Sequence, residues 1–333
     1  MHMADALLSP AVGLAGYACS AATTGVALKK LNLEENEKKI PVMGVMGAFV
    51  FSAQMINFTI PGTGSSGHLC GGMLLSAILG PYAGFLTMIA VLAIQCLLFA
   101  DGGILALGCN VWNMAFYGCF VGGGIIWLLF NRKHISRKGI ILASVLGNII
   151  SLQLGAFSVT LETLASGITE LPFSVFLASM QPIHLAIGTV EGLITAAVLL
   201  FIYETRPEIL WGVEGKEKEN TRFSLKGVLT ILSAAFVFIG GFLSLFASSH
   251  PDGLEWSMER ITGSTELASH GLLYEVLEKI QETTAILPDY AFSFSESAMG
   301  TSFSGVFGAL VVLILCVIFC LILKKVKKNR IHE

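Results

Sequence analysis

The sequence is poor in charged residues. Lys, Arg, Asp and Glu make up 13% of its 333 residues, about half the share of roughly 25% that is usual in soluble proteins. Hydrophobic residues make up 54%, 36 glycines add to the uncharged part, and the mean hydropathy is +0.76. This composition excludes a soluble enzyme, a nucleic-acid-binding protein and a disordered tail. It predicts an all-α, polytopic protein of the lipid bilayer.

The sequence also lacks the motifs of common catalytic sites. The loop Gly62–Gly67 reads G-x-G-x-x-G, but an apolar span and Pro61 precede it where a dinucleotide site needs a strand, and His68 stands where a phosphate loop needs Lys. There is no H-E-x-x-H sequence of a zinc protease. We therefore expect no catalytic residues, no permanently bound cofactor and no enzymatic activity, and any ATP hydrolysis must reside in partner subunits.

Apolar runs long enough to cross a bilayer, about 17–25 residues, occur eight times. They cover residues 6–28, 40–58, 82–100, 104–130, 139–160, 181–203, 225–247 and 304–323. A ninth run, 69–80, is too short to cross by itself. A cleaved signal peptide over residues 1–22 is the rival interpretation of the first run, but residues 1–8 carry Asp5 and no Lys or Arg, whereas such a peptide begins with basic residues.

The basic residues predict an orientation in the membrane. They form four clusters: Lys29, Lys30, Lys38 and Lys39; Arg132, Lys133, Arg137 and Lys138; Arg206, Lys216, Lys218 and Arg222; and Lys324, Lys325, Lys327, Lys328 and Arg330. Such clusters favour the cytoplasmic side, and all four share one side only if 69–80 also crosses, which gives seven spans followed by two. The N-terminus and the segment 248–303, with nine acids and only Arg260 and Lys279 as bases, are then external, and the C-terminus is cytoplasmic.

A candidate metal site begins at the first residue. The α-amine of Met1, the backbone nitrogen of His2 once deprotonated, and the Nδ1 atom of His2 can close two small chelate rings in one plane. Planar nitrogen sets suit Ni(II) or Cu(II) better than Zn(II). His68, in a Gly- and Ser-rich loop on the same predicted face, is the best candidate for a fourth nitrogen. The alternatives are that His2 is solvated and that His68 only satisfies loop backbone groups.

Two ionisable residues fall inside an apolar run. His184 and Glu191 lie two turns apart on one face of the span 181–203, and ionisable groups inside a membrane are candidates for function. His184 can also be interfacial, because it lies only three residues into the span, and Glu191 can pair across a helix interface. For Asn110 and Asn113, hydrogen bonds between helices are the default interpretation.

Three motifs of the chain resemble those of a known family. They are the opening residues Met1–Pro10, the stretch from Gln54 to His68, and Asp101-Gly102-Gly103 followed by Gly108-Cys109-Asn110. Over about residues 1–205 the chain thereby resembles the CbiM/NikM family, the substrate-capture (S) subunits of energy-coupling factor transporters for nickel and cobalt. The remainder, with Pro251–Glu255 in the external segment, is similar to the small accessory subunit of these systems, fused here into the same chain.

The resemblance implies an architecture, a site and partners. Residues 1–205 would form a seven-helix S-component bundle, 206–224 a cytoplasmic linker, and 225–333 an accessory domain with two further transmembrane helices around the external segment 248–303. The metal ligands would be Met1, His2 and His68, with Asn57, Ser66 and Asn110 as supporting residues. The implied partners are two cytoplasmic ATPase subunits and a transmembrane coupling subunit, in the cell membrane of a prokaryote.

The function that follows from the resemblance is capture of Ni(II), or Co(II), outside the cell by the substrate-specific component of an ATP-driven importer. One alternative is a self-sufficient secondary carrier or channel, with Glu191 and His184 as ion sites. Another is a metal-sensing receptor, although the basic tail Lys324–Arg330 offers no signalling domain. The choice between nickel and cobalt stays open, because both accept planar nitrogen donors.

Overall fold

The computed structural model describes residues 1–31, 39–212, 223–292 and 298–331, with the side chains of 298 and 327–331 left aside. Its helices are α1 (Pro10–Lys30), α2 (Lys39–Gln54), α3 (Gly72–Leu79), α4 (Pro81–Phe99), α5 (Leu107–Asn131), α6 (Arg137–Ser166), α7 (Phe173–Thr205), α8 (Leu225–Gly241), α9 (Gly253–Thr262), α10 (Leu272–Thr284) and α11 (Ala298–Ile331). The middle of α5, Val111–Ile126, is wound as a π-helix. Within this part of the chain, the strands β1 (Phe58–Ile60) and β2 (Ser65–Gly67) pair as one antiparallel hairpin.

The helical composition confirms the predicted all-α membrane fold. Among the described residues, six helices are long and apolar enough to cross a bilayer: α1, α4, α5, α6, α7 and the stretch Met299–Val326 of α11. The helices α2 and α8 are apolar but shorter. The count of seven spans followed by two stays a prediction.

Several predicted boundaries were wrong. The first apolar run was expected to start at residue 6, but Asp5–Leu7 form a single 3₁₀ turn and α1 begins at Pro10. Proline suits the first position of a helix because its missing N–H would have no partner there. The second predicted run, 40–58, is helical only as far as Gln54, and Phe58 at its end is the first residue of β1. The run predicted at 181–203 begins earlier, at Phe173.

The short run 69–80 contains α3, whose two ends lie near different parts of the chain. The helix starts at Gly72, shortly after His68, and near its other end the carbonyl of Ala77 accepts a hydrogen bond from the Trp211 backbone at 2.9 Å. Arg137 and Glu204 form an ion pair of 2.9 Å between the start of α6 and the end of α7. We refer to the end with Trp211 and this ion pair as the basic end, and to the end with Met1 and the hairpin as the metal end.

Parts of the predicted linker and basic clusters lie outside the described residues. These are residues 213–222 of the linker 206–224, with Lys216, Lys218 and Arg222, and also Lys38. Residues 293–297 of the predicted external segment are likewise outside. Lys327, Lys328 and Arg330 belong to the last turns of α11, but their side chains are not described.

The C-terminal helices α8 and α11 pack closely against each other and against the N-terminal bundle. The backbones of Gly240 in α8 and Gly305 in α11 touch, so that a side chain at either position would overlap the other helix. The hydroxyl of Ser52 in α2 donates to the carbonyl of Gly305 at 3.5 Å. Small residues commonly allow such close helix approach in membranes. The packing places the segment that joins α8 to α11, with α9 and α10, over the metal end. The helix α10 carries Leu273, Val276, Leu277 and Ile280 at a spacing that places them on one face.

Candidate metal centre

The N-terminal segment is buried and held at fixed points. Met1 is 7% exposed and Met3 is fully buried. The Asn110 side chain makes two hydrogen bonds to the Met3 backbone. It accepts from the N–H at 2.8 Å and donates to the carbonyl at 3.1 Å. The Gly103 backbone donates to the same carbonyl at 2.9 Å. Asn110, predicted as a supporting residue, therefore anchors the chain two residues after the amine.

The sequence Asp101-Gly102-Gly103 forms the surface on which this segment lies. A β-carbon at Gly103 would overlap the carboxylate of Asp5, so only glycine permits this close approach of the two backbones. The Asp5 carboxylate in turn accepts the backbone N–H of Ala106 at 3.0 Å. The glycines of this motif are thus explained by the path of the N-terminus.

The structure brings the Met1 amine and His68 together. The amine nitrogen lies 3.1 Å from Nε2 of His68. On the other side of the ring, Nδ1 lies 3.1 Å from the carbonyl oxygen of Leu69. Because a carbonyl can only accept, Nδ1 carries the proton and the lone pair of Nε2 points toward the amine. Adjacent corners of a square with metal–nitrogen bonds of about 2 Å are about 2.8 Å apart, close to the observed separation.

The His2 imidazole stacks on His68, with ring centroids 5.4 Å apart and planes 20° from parallel. Its Nδ1 atom lies 3.2 Å from the carboxylate of Asp101, and its Nε2 atom lies 3.2 Å from the side-chain oxygen of Gln95. Burial lowers the pKa of His2 to about 4, since it outweighs the attraction of Asp101. A neutral imidazole is the form that binds metals. The role of Nδ1 in a chelate with the amine stays a prediction and requires the ring to leave Asp101.

A chain of side-chain amides connects His2 to the segment after His68. Gln95 donates to Gln54 at 2.8 Å, and Gln54 donates to the carbonyl of Cys70 at 2.9 Å. The thiol of Cys70 is buried and faces the carbonyl of Met114 at 3.6 Å.

An acidic residue missing from the predicted site contacts the amine directly. The Oδ2 atom of Asp252 makes an ion pair with the Met1 amine and lies 3.7 Å from Nε2 of His68. Its Oδ1 atom caps the start of α9, accepting from the backbones of Leu254 at 2.8 Å and Glu255 at 3.0 Å. The Glu255 side chain accepts from the Asp252 backbone and completes a capping box. The carboxylate of Asp252 thus caps the start of α9 and also faces the candidate metal centre.

The ion pair between Met1 and Asp252 determines the charge of the site. Burial disfavours the charged form of both groups, but their attraction outweighs it. The pKa of the amine is raised above its usual value, and the pKa of the Asp252 carboxyl is held well below its usual range. Without metal, the amine is therefore an ammonium group at neutral pH.

The other two predicted supporting residues bind the accessory segment. The Ser66 backbone donates to the carbonyl of Pro251 at 2.8 Å, and its hydroxyl donates to that of His250 at 2.7 Å. The carbonyl of Asn57 accepts the N–H of Ser248 at 2.7 Å. Both residues therefore position the segment that carries Asp252.

A large open cavity leads to His2 and His68. It encloses about 1960 Å³, including its open mouth, and among the described residues that line it there is no Lys or Arg. Its lining carries the carboxylates of Asp5, Asp101, Asp252, Glu255, Glu266, Glu278 and Asp289. We call this cavity the acidic vestibule. Its charge favours the approach of cations.

The two ionisable residues of α7 lie deeper in the protein. His184 is 1% exposed, contacts the carbonyl of Met180 at 2.8 Å and faces Gly253 of the accessory segment. It does not lie near the start of its helix, as the predicted span implied, because α7 begins at Phe173, eleven residues earlier. Glu191 is fully buried and accepts the backbone N–H of Gly71 at 2.9 Å. Both residues border small cavities that Met1 also lines.

The candidate centre differs in composition from common metal sites. Within the described ranges, no three side chains of His, Cys, Asp or Glu cluster in a metal-holding arrangement. The proposed donors instead combine two histidines with main-chain nitrogens of Met1 and His2.

Comparisons with known proteins agree with this architecture. Residues 2–209 match the CbiM family, described as a cobalt uptake substrate-specific transmembrane region, and residues 226–325 match the PDGLE domain. A putative fused nickel transport protein, NikMN, of Archaeoglobus fulgidus is 33% identical over 315 residues, covering 95% of this chain and 96% of that protein. A probable fused nickel transport protein, LarMN, of Lactiplantibacillus plantarum is 28% identical over 335 residues, covering 95% and 96%.

A solved structure is similar to this chain in both sequence and fold. The crystal structure of a truncated transition metal transporter is 34% identical, has a TM-score of 0.54, and covers 61% of this chain and 99% of that one. The chain is thus a multi-pass membrane transport protein that belongs to the CbiM family, with a PDGLE domain fused behind the CbiM region.

Proposed function

We propose that this chain is the substrate-specific component of an ATP-driven importer, which captures Ni(II), or Co(II), outside the cell. Separate ATPase and coupling subunits would drive its release to the cytoplasm. The single observation that carries the proposal is the 3.1 Å separation between the buried Met1 amine and Nε2 of His68. The names of the fused relatives, both called nickel transport proteins, support the choice of substrate.

The proposed donor set is the Met1 amine, the His2 backbone nitrogen, the His2 imidazole and His68. Bound to metal, the amine and His2 close two chelate rings in one plane, and His68 completes the square. The amine loses its proton, and so does the His2 backbone nitrogen. A planar set of four nitrogens suits Ni(II) and disfavours Zn(II), which prefers a tetrahedron. His68 supports this geometry because its Nδ1 atom is held by the Leu69 carbonyl.

The acidic vestibule gives the cation its route to these donors. Negative charge in a confined cavity raises the local concentration of cations and speeds their association. At its inner end, Asp252 holds the amine in the metal-free chain. For the metal to bind, this ion pair must open, and the Asp252 carboxylate then lies beside the bound cation and balances its charge. The accessory region therefore takes part in loading.

The division of the chain follows the same proposal. Residues 1–205 would bind the metal, residues 206–224 would link the two parts in the cytoplasm, and residues 225–333 would form the accessory domain. The metal end would face outward and the basic end inward, with the N-terminus external and the C-terminus cytoplasmic. The Lys29 and Lys30 pair that ends α1 supports this orientation.

The second candidate function is a self-sufficient carrier in which His184 and Glu191 bind the moving ion. Their burial beside cavities that reach Met1 is the observation that favours it. Reconstitution into liposomes separates the two functions. The proposed function predicts no sustained nickel uptake by the chain alone, and ATP-dependent uptake after the ATPase and coupling subunits are added. Gradient-driven uptake by the chain alone would instead favour the carrier.

A further inference from the structure

Glu191 is a buried acid that the proposed donor set does not use. It lies in the middle of α7 with no exposed surface. An acidic side chain in a membrane helix is costly, and such residues are retained where they have specific partners. The partner of Glu191 therefore indicates what this residue does.

That partner is the backbone immediately after His68. The Oε1 atom of Glu191 accepts the N–H of Gly71 at 2.9 Å. Gly71 precedes the first residue of α3, where backbone N–H groups lack a partner within the helix. It also has a φ of +82°, a conformation that favours glycine. Glu191 thus satisfies an N–H group that the sharp turn between His68 and α3 leaves open.

The whole turn from His68 to Gly71 is held at successive atoms. The His68 ring donates to the carbonyl of Leu69, Gln54 donates to the carbonyl of Cys70, and Glu191 accepts from Gly71. Of these three contacts, only the one from Glu191 comes from α7, and it ties the turn to the opposite wall of the site. The direction of Nε2 toward the Met1 amine depends on this turn.

The second carboxylate oxygen offers a way to test the contact. Oε2 of Glu191 has no hydrogen-bond partner among the described residues, and the side chain lies in the same lining as Met1 and Cys70. A glutamine at this position has nearly the same shape as glutamate and keeps an oxygen for the Gly71 N–H. An alanine removes the acceptor altogether.

We propose that Glu191 is a positioning residue for the metal site, which acts through the Gly71 N–H to aim His68 at the Met1 amine. The inference rests on the proposed function, in which His68 is a ligand. It assigns to Glu191 a role in binding geometry without contact to the metal.

The test is nickel titration of the full-length chain in detergent, together with the visible absorption spectrum of bound nickel. Loss of a residue that orients a ligand typically weakens metal binding by about 10–100-fold, and we expect this loss and an altered spectrum for E191A. E191Q should keep the native spectrum and an affinity within about threefold of native, a smaller change than the roughly tenfold lower limit of that range. The control is T195A, which changes another fully buried residue one turn further along α7.

Native affinity and spectrum in E191A would overturn the inference. An E191Q variant as weak as E191A would also overturn it, because charge and not the hydrogen-bond acceptor would then matter. Thermal unfolding without metal checks that E191A is folded; if it is not, E191L, which keeps the bulk without an acceptor, replaces it with the same expectations. H68A is measured in parallel. If H68A loses nickel while E191A does not, only this inference fails, whereas native binding by H68A refutes the proposed site as well.

Discussion

The carboxylate of Asp252 contacts the Met1 amine, although the two residues are 251 positions apart in the sequence. The contact brings the PDGLE region to the first atom of the CbiM region. A second contact between the two regions lies nearby. The Tyr290 hydroxyl donates a hydrogen bond of 2.5 Å to the Asp101 carboxylate, which also faces His2. The two regions therefore meet at the candidate metal centre, and a metal that reaches the donors must rearrange contacts from both.

Nickel binding should strengthen as the pH rises. Because Asp252 raises the pKa of the Met1 amine, the metal must displace the amine proton as well as the proton of the His2 backbone. His2, with a pKa of about 4, releases none near neutrality. Two displaced protons predict an apparent affinity that falls by up to about 100-fold per pH unit as the pH drops below the amine pKa. Calorimetric titrations in buffers of different ionisation enthalpy would count the protons, and a pH-independent affinity would contradict the prediction.

Replacing Asp252 should separate its two roles. In D252N the amine loses the attraction that raises its pKa, so the decline of nickel affinity should move to lower pH. Asparagine still caps a helix, whereas D252A should in addition lose about 0.5–2 kcal/mol from the missing N-cap of α9. Nickel titration over pH and thermal unfolding of both variants measure the two effects. An unchanged pH profile in D252N would show that the ion pair does not govern access to the amine.

Neutralising the acidic vestibule should slow nickel association. Glu266 and Glu278 line the cavity without belonging to the donor set, and the double variant E266Q/E278Q removes two of its charges. We expect a several-fold lower association rate at low ionic strength, about 2–10-fold, with little change in dissociation. Stopped-flow measurements test this against E259Q, which changes an exposed glutamate outside the vestibule. Equal association rates in the native chain, E266Q/E278Q and E259Q would contradict the idea that the acidic vestibule attracts the cation.

Loss of the Asn110 side chain should release the N-terminal segment. N110A breaks two hydrogen bonds to Met3, at 2.8 and 3.1 Å, and we expect nickel affinity to fall by about tenfold or more, as for other residues that orient ligands. N131A is a matched control, because Asn131 is also buried and donates to two backbone carbonyls, but near the basic end. Both variants should lose stability. If N110A binds nickel as tightly as N131A, the hydrogen bonds from Asn110 to Met3 do not contribute to nickel binding.

Part of this architecture could be predicted from the sequence because it depends on local patterns. Long apolar runs predict helices, and the order of the motifs predicts that the N-terminus and the His68 loop belong together. The structure does place the Met1 amine beside His68. The ligand roles of Met1, His2 and His68 stay predictions.

Other features depend on tertiary contacts that the sequence does not encode locally. The Glu three residues after Asp252 identifies Asp252 as a helix cap, but no neighbouring residue in the sequence indicates that its partner is the Met1 amine. Gln54 and Gln95 lie within or at the edge of apolar runs, and their hydrogen bond across α2 and α4 appears only when the helices are packed. The start of α7 was predicted at residue 181 because proline usually stands at the beginning of a helix, whereas Pro182 lies inside this one.

The most direct test of the central claim is nickel titration of the native chain beside a chain with one alanine added before Met1. The addition moves the amine away from the His2 chelate and leaves every other side chain in place. If the Met1 amine is a ligand, affinity for nickel should fall by about 100-fold or more, the upper end of what disturbed metal sites show, and the spectrum of planar nickel should be lost. Equal affinity and an unchanged spectrum in the extended chain would contradict this role of the amine.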